Sequence, residues 1–107
     1  MPEFKKSRRY ADNHEVVHNG EAIKFHDKET GQLYRNLKEA CSKDTGYGQR
    51  FFFDDKSCVD AYDGGIILKS EKRNGTWERL EMSYRDARRL LVSIEEQVSV
   101  EEKLKRM

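Results

Sequence analysis

Three arginines, Arg85, Arg88 and Arg89, stand in the first turns of the strongest helical pattern in the sequence. The amino end of a helix carries a partial positive charge, so an exposed arginine there opposes the helix dipole by up to ~1 kcal/mol. Asp86 is the one acid at helical spacing from Arg89, and it offsets only part of this repulsion. Free backbone N–H groups and guanidinium groups both favour an anion at such a position. The arginines therefore predict a site for phosphate or for an acidic surface.

A second basic group surrounds the single tryptophan, Trp77, and would continue the phosphate track from the helix arginines. Nucleic-acid bases stack on an exposed aromatic ring while basic side chains follow the backbone, which makes a single-strand binding platform. A tryptophan buried in the core is the structural alternative at this position. The predicted nucleic-acid or anion site comprises Arg85, Arg88, Arg89, Lys69, Lys72, Arg73 and Trp77.

A cluster of aspartates precedes this region: Asp54, Asp55, Asp60 and Asp63. The cluster could neutralise the helix arginines within the chain, or mimic phosphates and so capture a basic protein partner. Carboxylates also bind divalent ions, and Asp54-Asp55-Lys56 fits the acid-x-lysine pattern of metal-dependent nucleases. That tripeptide is common by chance and needs a further acid on a neighbouring strand, so nuclease chemistry ranks third.

The histidines and cysteines do not follow a metal-binding pattern. His14 and His18 straddle the start of a predicted strand, and Cys41 and Cys58 are isolated from each other. No nucleophile and base form a recognisable motif. We therefore predict no metal, no cofactor and no enzymatic activity. The absence of a signal peptide, of a long apolar run and of a disulfide framework predicts free thiols in a cytoplasmic protein that does not enter membranes.

The composition predicts one small domain. The chain has 107 residues, 36% hydrophobic and 38% charged, with a formal net charge of +1. A balance so near zero gives no bulk attraction to nucleic acid, and only local clusters could supply it. Residues 1–13 are basic and almost without apolar side chains, which predicts a flexible arm ahead of a domain at 14–107.

The clearest elements lie between Gly64 and Val98. Asn74-Gly75 predicts a hairpin, and one extra residue in its turn would place Ile66 and Leu68 opposite Met82 and Leu80 on one buried face, with Trp77 on the other. Ser83 begins a capping box, and the helical stripe after it comprises Ala87, Leu90, Leu91, Ile94 and Val98. A change of phase after Val98 predicts a kink or a short separate helix.

The earlier half of the chain predicts a meander and a short helix. Asn19-Gly20 predicts a hairpin, residues 32–35 a third strand, and Asn36 the cap of a helix of about two turns. The aromatic run Phe51-Phe52-Phe53 predicts a central strand or buried crossover. The order β-β-β-α-β-β-β-β-α gives an α+β fold, with antiparallel hairpin and meander units packed against one short and one longer C-terminal helix.

The hairpin, capped junction and amphipathic helix of residues 64–98 resemble the carboxy-terminal half of the positive-cofactor family of single-strand DNA-binding proteins. The resemblance implies nucleic-acid binding, and it does not extend to residues 15–53. Mainly from the helix arginines, we expect a nucleic-acid-binding regulator that contacts DNA or RNA through phosphates. The alternative is a protein–protein regulator, such as a mobile-element inhibitor, that uses the acidic cluster. A dimer through the C-terminal helix is compatible with either.

Overall fold

The computed structural model describes residues 2–42, 48–53, 57–72 and 74–105, with backbone alone for 49–53 and 103–105. Within these residues, a short 3₁₀ turn at Asp27–Glu29 precedes the first of two α-helices. The strands and helices are β1 Glu3–Lys6, β2 Asn13–His18, β3 Glu21–His26, α1 Thr30–Ala40, β4 Gly48–Phe53, β5 Ser57–Tyr62, β6 Gly65–Glu71, β7 Trp77–Met82 and α2 Tyr84–Lys105.

The fold is the predicted α+β arrangement. It has a three-stranded antiparallel sheet in the order β1-β2-β3 and a four-stranded antiparallel sheet in the order β4-β5-β6-β7. One core joins both sheets and both helices, because buried side chains from each belong to a single cluster. Its largest fully buried members include Phe4, Phe25, Ile23, Leu33, Leu37, Ile66, Leu68, Leu80, Leu90 and Ile94.

The β6–β7 hairpin has the predicted extra residue in its turn. Ile66 pairs with Met82 and Leu68 pairs with Leu80, and all four side chains are buried. Gly75 supplies the positive φ of 84° that the turn requires. At the other end of β6, a Cβ on Gly65 would lie 2.2 Å from the Met82 carbonyl oxygen. Glycine at position 65 therefore permits the close approach of the strand start to β7.

The prediction of a flexible arm over residues 1–13 is wrong for Glu3–Lys6. These residues form β1, which pairs antiparallel with β2, and the Phe4 side chain is 2% exposed. The free edge of β1 is turned towards α2, where the Phe4 N–H donates to Ser93 Oγ at 2.8 Å. The buried Phe4 side chain and a helix far away in the sequence hold this strand in place. The basic composition of residues 1–13 predicted an arm instead, because neither contact can be recognised from composition.

The prediction of a third strand at residues 32–35 is also wrong, because the chain is helical from Thr30 onwards. The His26 N–H donates to Glu29 Oε1 at 2.8 Å and the Lys28 N–H donates to His26 Nδ1 at 3.1 Å, which caps the preceding 3₁₀ turn. Leu33, Leu37 and Ala40 then fall on one buried face at helical spacing.

Two smaller predictions need correction. α2 continues through Val98 to Lys105 as one helix of 22 residues, which contradicts the separate helix and leaves the kink after Val98 a prediction. β4 lies at the edge of its sheet, whereas Phe51-Phe52-Phe53 had predicted a central strand or a buried crossover. The Ser83 cap is confirmed, since the Asp86 N–H donates to Ser83 Oγ at 3.1 Å.

We expect Leu90→Ala to lower the free energy of unfolding by about 2 to 5 kcal/mol, because the Leu90 side chain is fully buried and its loss leaves a cavity. Val92→Ala is the control, since Val92 is 52% exposed on the same helix and should change stability by less than about 0.5 kcal/mol. Denaturant melts measure both. Equal losses for the two variants would show that this face of α2 is not the core face.

Candidate functional site

The three predicted arginines lie side by side on the solvent side of the first two turns of α2. A helical period of about 3.6 residues places Arg85 between Arg88 and Arg89. Arg85 and Arg88 are exposed, and 40% of the Arg89 side chain is exposed. Ala87 and Leu90 point the opposite way into the core. The alternation of basic and apolar positions thus aims the guanidinium groups outwards.

Arg88 and Arg89 occupy opposite rims of this surface. Burial raises the pKa of the Cys41 thiol at the end of α1, and the nearby Arg88 guanidinium partly offsets that rise. Arg88 therefore faces α1. Arg89 instead lines a surface cavity together with Pro2 and Glu3, so it faces β1. The basic surface extends across the full width of the helix.

Lys38 is a further exposed cation, on α1. Its Nζ lies 5.9 Å from the centre of the Tyr34 ring, so it lies towards Tyr34 rather than towards Cys41 and Arg88. We use the name arginine surface for Arg85, Arg88 and Arg89 together.

Among the described acids, Asp86 contacts the arginine surface at Arg89, whereas Asp60 pairs with Lys69. Asp86 Oδ2 lies 3.6 Å from His18 Nε2, and Asp86 Oδ1 lies 3.9 Å from Arg89 Nη1. Asp60 Oδ2 accepts a hydrogen bond from Lys69 Nζ at 3.0 Å. Within the described residues, no acidic side chain forms an ion pair with Arg85 or Arg88. An external anion would therefore not have to displace a described partner at these two positions.

The second basic group does not continue the arginine surface. Leu68 and Leu80 face the core that α2 covers, whereas Lys69 alternates with Leu68 and points to the far face of the sheet. Trp77 is 41% exposed, as the predicted register required. The four-stranded sheet thus lies between the helix arginines and the pair Lys69 and Trp77, which argues against a single track through these residues.

The lysines of the second group are also engaged by acids. Lys69 is paired with Asp60, and its side chain is 19% exposed. Lys72 Nζ lies 3.3 Å from Glu78 Oε1. Arg73 lies outside the described residues. Existing ion pairs therefore partly neutralise the cations around Trp77, which weakens this surface as a phosphate site.

The predicted acidic cluster is only partly described. Asp60 lies in β5 and Asp63 is exposed in the turn that follows, while Asp54 and Asp55 lie outside the described residues. The nuclease tripeptide falls in the same undescribed segment. Among the described residues, no group of three or more His, Cys, Asp or Glu side chains could hold a metal ion.

A buried histidine forms a cluster that sequence reasoning missed. His14 is 4% exposed, and its ring stacks on Phe4 with 4.7 Å between ring centres. His14 Nδ1 lies 2.6 Å from Asp27 Oδ1, and His14 Nε2 lies 2.6 Å from Glu101 Oε1. Lys6 donates a further hydrogen bond to Asp27. Residues from β1, β2, the 3₁₀ turn and α2 meet here, and no short sequence motif spans them.

The His14 cluster is better suited to holding elements together than to catalysis. Carboxylates of Asp27 and Glu101 engage both ring nitrogens, so neither nitrogen is free to accept a proton from a substrate. A neutral imidazole has only one N–H, so two such hydrogen bonds require a proton on each ring nitrogen or on a carboxylate. The cluster fixes the second half of α2 to the three-stranded sheet.

No protein-family model, curated protein sequence or solved structure matches this chain. Across the described residues, α-helices long and apolar enough to span a membrane are absent. The positive-cofactor resemblance of residues 64–98 therefore rests on the order of their elements alone.

Asp27→Asn should lower the free energy of unfolding near neutral pH. Burial alone would raise the pKa of Asp27, but hydrogen bonds and charge from Lys6 and His14 outweigh it and lower that pKa. A carboxyl with a lowered folded-state pKa stabilises the fold fully above its unfolded value of about 3.9. That contribution is lost as the pH falls through the lower, folded-state pKa.

The measurement is urea unfolding of wild type and Asp27→Asn over a series of pH values. The difference between them should be largest above about pH 4 and shrink in more acidic solution. Asp12→Asn is the control, because the Asp12 side chain is exposed in the adjoining turn. A difference that stays constant into acid would contradict the assigned role of Asp27.

Proposed function

We propose that this protein is a non-enzymatic regulator that binds nucleic acid through its phosphate backbone, using the arginine surface of α2. The observation that supports this proposal is that Arg85 and Arg88 are exposed and have no ion-pair partner among the described acids. Guanidinium groups bind phosphate oxygens through two parallel hydrogen bonds, and they do so strongly where no intramolecular acid competes.

Local geometry supports phosphate as the ligand. Backbone N–H groups at the amino end of α2 add partial positive charge to the same surface, although Ser83 Oγ already accepts the Asp86 N–H. Such a surface would follow a phosphate backbone and would carry little base specificity, because phosphate contacts contain no sequence information.

The small net charge shapes the expected behaviour. With a formal charge of +1, the chain as a whole gives little long-range attraction to nucleic acid. Binding should therefore depend on a few local contacts and should weaken steeply with salt, since each phosphate that is neutralised releases counterions. The far-face group around Trp77 is not part of this proposal, because the sheet separates it from α2.

We expect the double variant Arg85→Glu/Arg88→Glu to weaken binding to single- and double-stranded DNA and RNA alike, by at least roughly tenfold at low salt. The slope of log affinity against log salt should become shallower by about one for each phosphate that the variant no longer neutralises. Fluorescence anisotropy titrations at several salt concentrations measure both quantities. Stability should change little, because both side chains are exposed.

The matched control is Arg8→Glu/Arg9→Glu. These two arginines are also exposed, but they lie in the turn between β1 and β2. That turn is near His14, which contacts Glu101 in the last turns of α2, so it lies at the opposite end of the helix from Arg85. The control carries the same change of charge and should retain most of the affinity. Equal losses in both double variants, or no complex with wild type at low salt, would contradict the proposal.

A further inference from the structure

The second half of α2 forms an apolar groove with α1. Tyr34 contacts Glu95, and the start of α1 faces Val98, so the two helices run antiparallel. A cavity of about 390 Å³ opens between them, and its walls include Gly31, Tyr34, Ile94, Glu95, Val98 and Glu102. We use the name α1–α2 groove for the space between these residues. Ile94, Val98 and Tyr34 also pack on the core, so the floor of the groove is apolar.

The rim of the groove is acidic. Glu95 and Glu102 are exposed, and among the described residues no basic side chain forms an ion pair with either. Glu95 accepts a hydrogen bond from the Tyr34 hydroxyl, a neutral donor, and this hydrogen bond raises the pKa of Tyr34. Lys38 Nζ lies 5.9 Å from the centre of the Tyr34 ring without forming an ion pair with Glu95. An apolar floor below exposed carboxylates that lack an ion pair among the described residues favours a ligand that is both apolar and cationic.

A larger cleft continues the groove. It has a volume of about 650 Å³, shares Gly31 and Val98 with the groove, and ends at the His14 cluster. The Asp27 and Glu101 carboxylates of this cleft are already engaged by Lys6 and His14. Together the two spaces form an open trough, which suits an extended or helical chain segment better than an enclosed small molecule.

Gly31 gives an independent reason to regard the groove as a binding surface. Glycine inside a helix is less stable than alanine by about 0.5 to 1 kcal/mol. A Cβ at Gly31 would meet only Arg35 Nη1, at 3.9 Å, which is an ordinary contact. Packing among the described residues therefore gives no reason for glycine at this position. A side chain there would, however, stand in the wall of the groove.

We propose that the α1–α2 groove binds a segment of a protein partner that carries lysine or arginine beside an apolar side chain. The apolar side chain lies on Ile94 and Val98, and the cation lies against Glu95 and Glu102. The acidic cluster Asp54–Asp63 predicted a basic protein partner. The α1–α2 groove offers such a partner an acidic surface within the described residues. This site is separate from the arginine surface and does not depend on nucleic-acid binding.

The test uses a short fluorescein-labelled peptide of lysine and leucine at helical spacing, added to the full chain. Two control peptides replace all lysines by glutamate or all leucines by serine. Fluorescence anisotropy should detect binding of the lysine–leucine peptide and affinity at least roughly tenfold weaker for both controls. In ¹⁵N–¹H spectra of wild type, amide signals of Gly31, Ser99 and Glu102 should shift, while Gly20 and Gly75 should not.

Protein variants then locate the site. Gly31→Trp should fill the groove and Glu95→Lys/Glu102→Lys should repel the cation, so each should weaken binding by at least roughly tenfold. Gly31→Ala should bind more tightly than Gly31→Trp and more weakly than wild type, since its single methyl group fits beside Arg35 but stands in the groove wall. Arg85→Gln/Arg88→Gln is the matched control and should retain peptide binding, which separates this proposal from nucleic-acid binding.

Several outcomes would overturn the proposal. Undiminished binding to Gly31→Trp, equal binding of the glutamate peptide, or signal shifts only outside the groove would each do so. Binding of a simple alkylamine without any binding of the peptide would identify a small-molecule site. Self-association in sedimentation experiments that Gly31→Trp abolishes, without peptide binding, would identify a second copy of the chain as the occupant.

Discussion

The register of the β6–β7 hairpin is the constraint on which the arrangement of surfaces depends. Successive side chains in a strand point to opposite faces, so a shift of one residue would exchange the buried and exposed sets. With Leu68 opposite Leu80, the apolar residues face α2 and the core. Lys69, Arg79 and Trp77 consequently face away from the helix. The fold thereby divides basic residues that are close in sequence between two separate surfaces.

The exposed side chains of α2 change from basic to acidic along the helix. Its first two turns present arginines to solvent, and its second half presents Glu95, Glu96 and Glu102. Basic residues at the amino end oppose the helix dipole, so burial of the apolar stripe and the Ser83 cap must stabilise the helix there. One helix thus presents surfaces of opposite charge along its length, and the small net charge of the chain conceals both.

Polar contacts secure the second half of α2 to the three-stranded sheet. Past Val98 the apolar stripe loses its phase, and Glu101 contacts His14 where an apolar residue would otherwise pack. Ser93 Oγ accepts a hydrogen bond from the Phe4 N–H, so α2 covers the free edge of β1 at this residue. These contacts join segments that are far apart in the chain. They also explain how a chain with 36% hydrophobic residues orders a 22-residue helix.

The sequence by itself determined the features that depend on neighbouring residues. Asn19-Gly20 and Asn74-Gly75 predicted their hairpins, because few residue pairs tolerate the turn geometry. Ser83 predicted the start of α2, and alternation of side chains predicted the β6–β7 register and the exposure of Trp77. The α+β class followed from these elements.

Only the tertiary structure decided what depends on distant contacts. β1 is a strand because β2 and α2 satisfy its two edges, although its own composition is typical of a solvated arm. His14, Asp27 and Glu101 meet because three elements pack together, and no spacing in the chain encodes that meeting. The α1–α2 groove also depends on a distant contact. In the chain, the four strands β4 to β7 lie between α1 and α2, and the groove forms only when the two helices pack together.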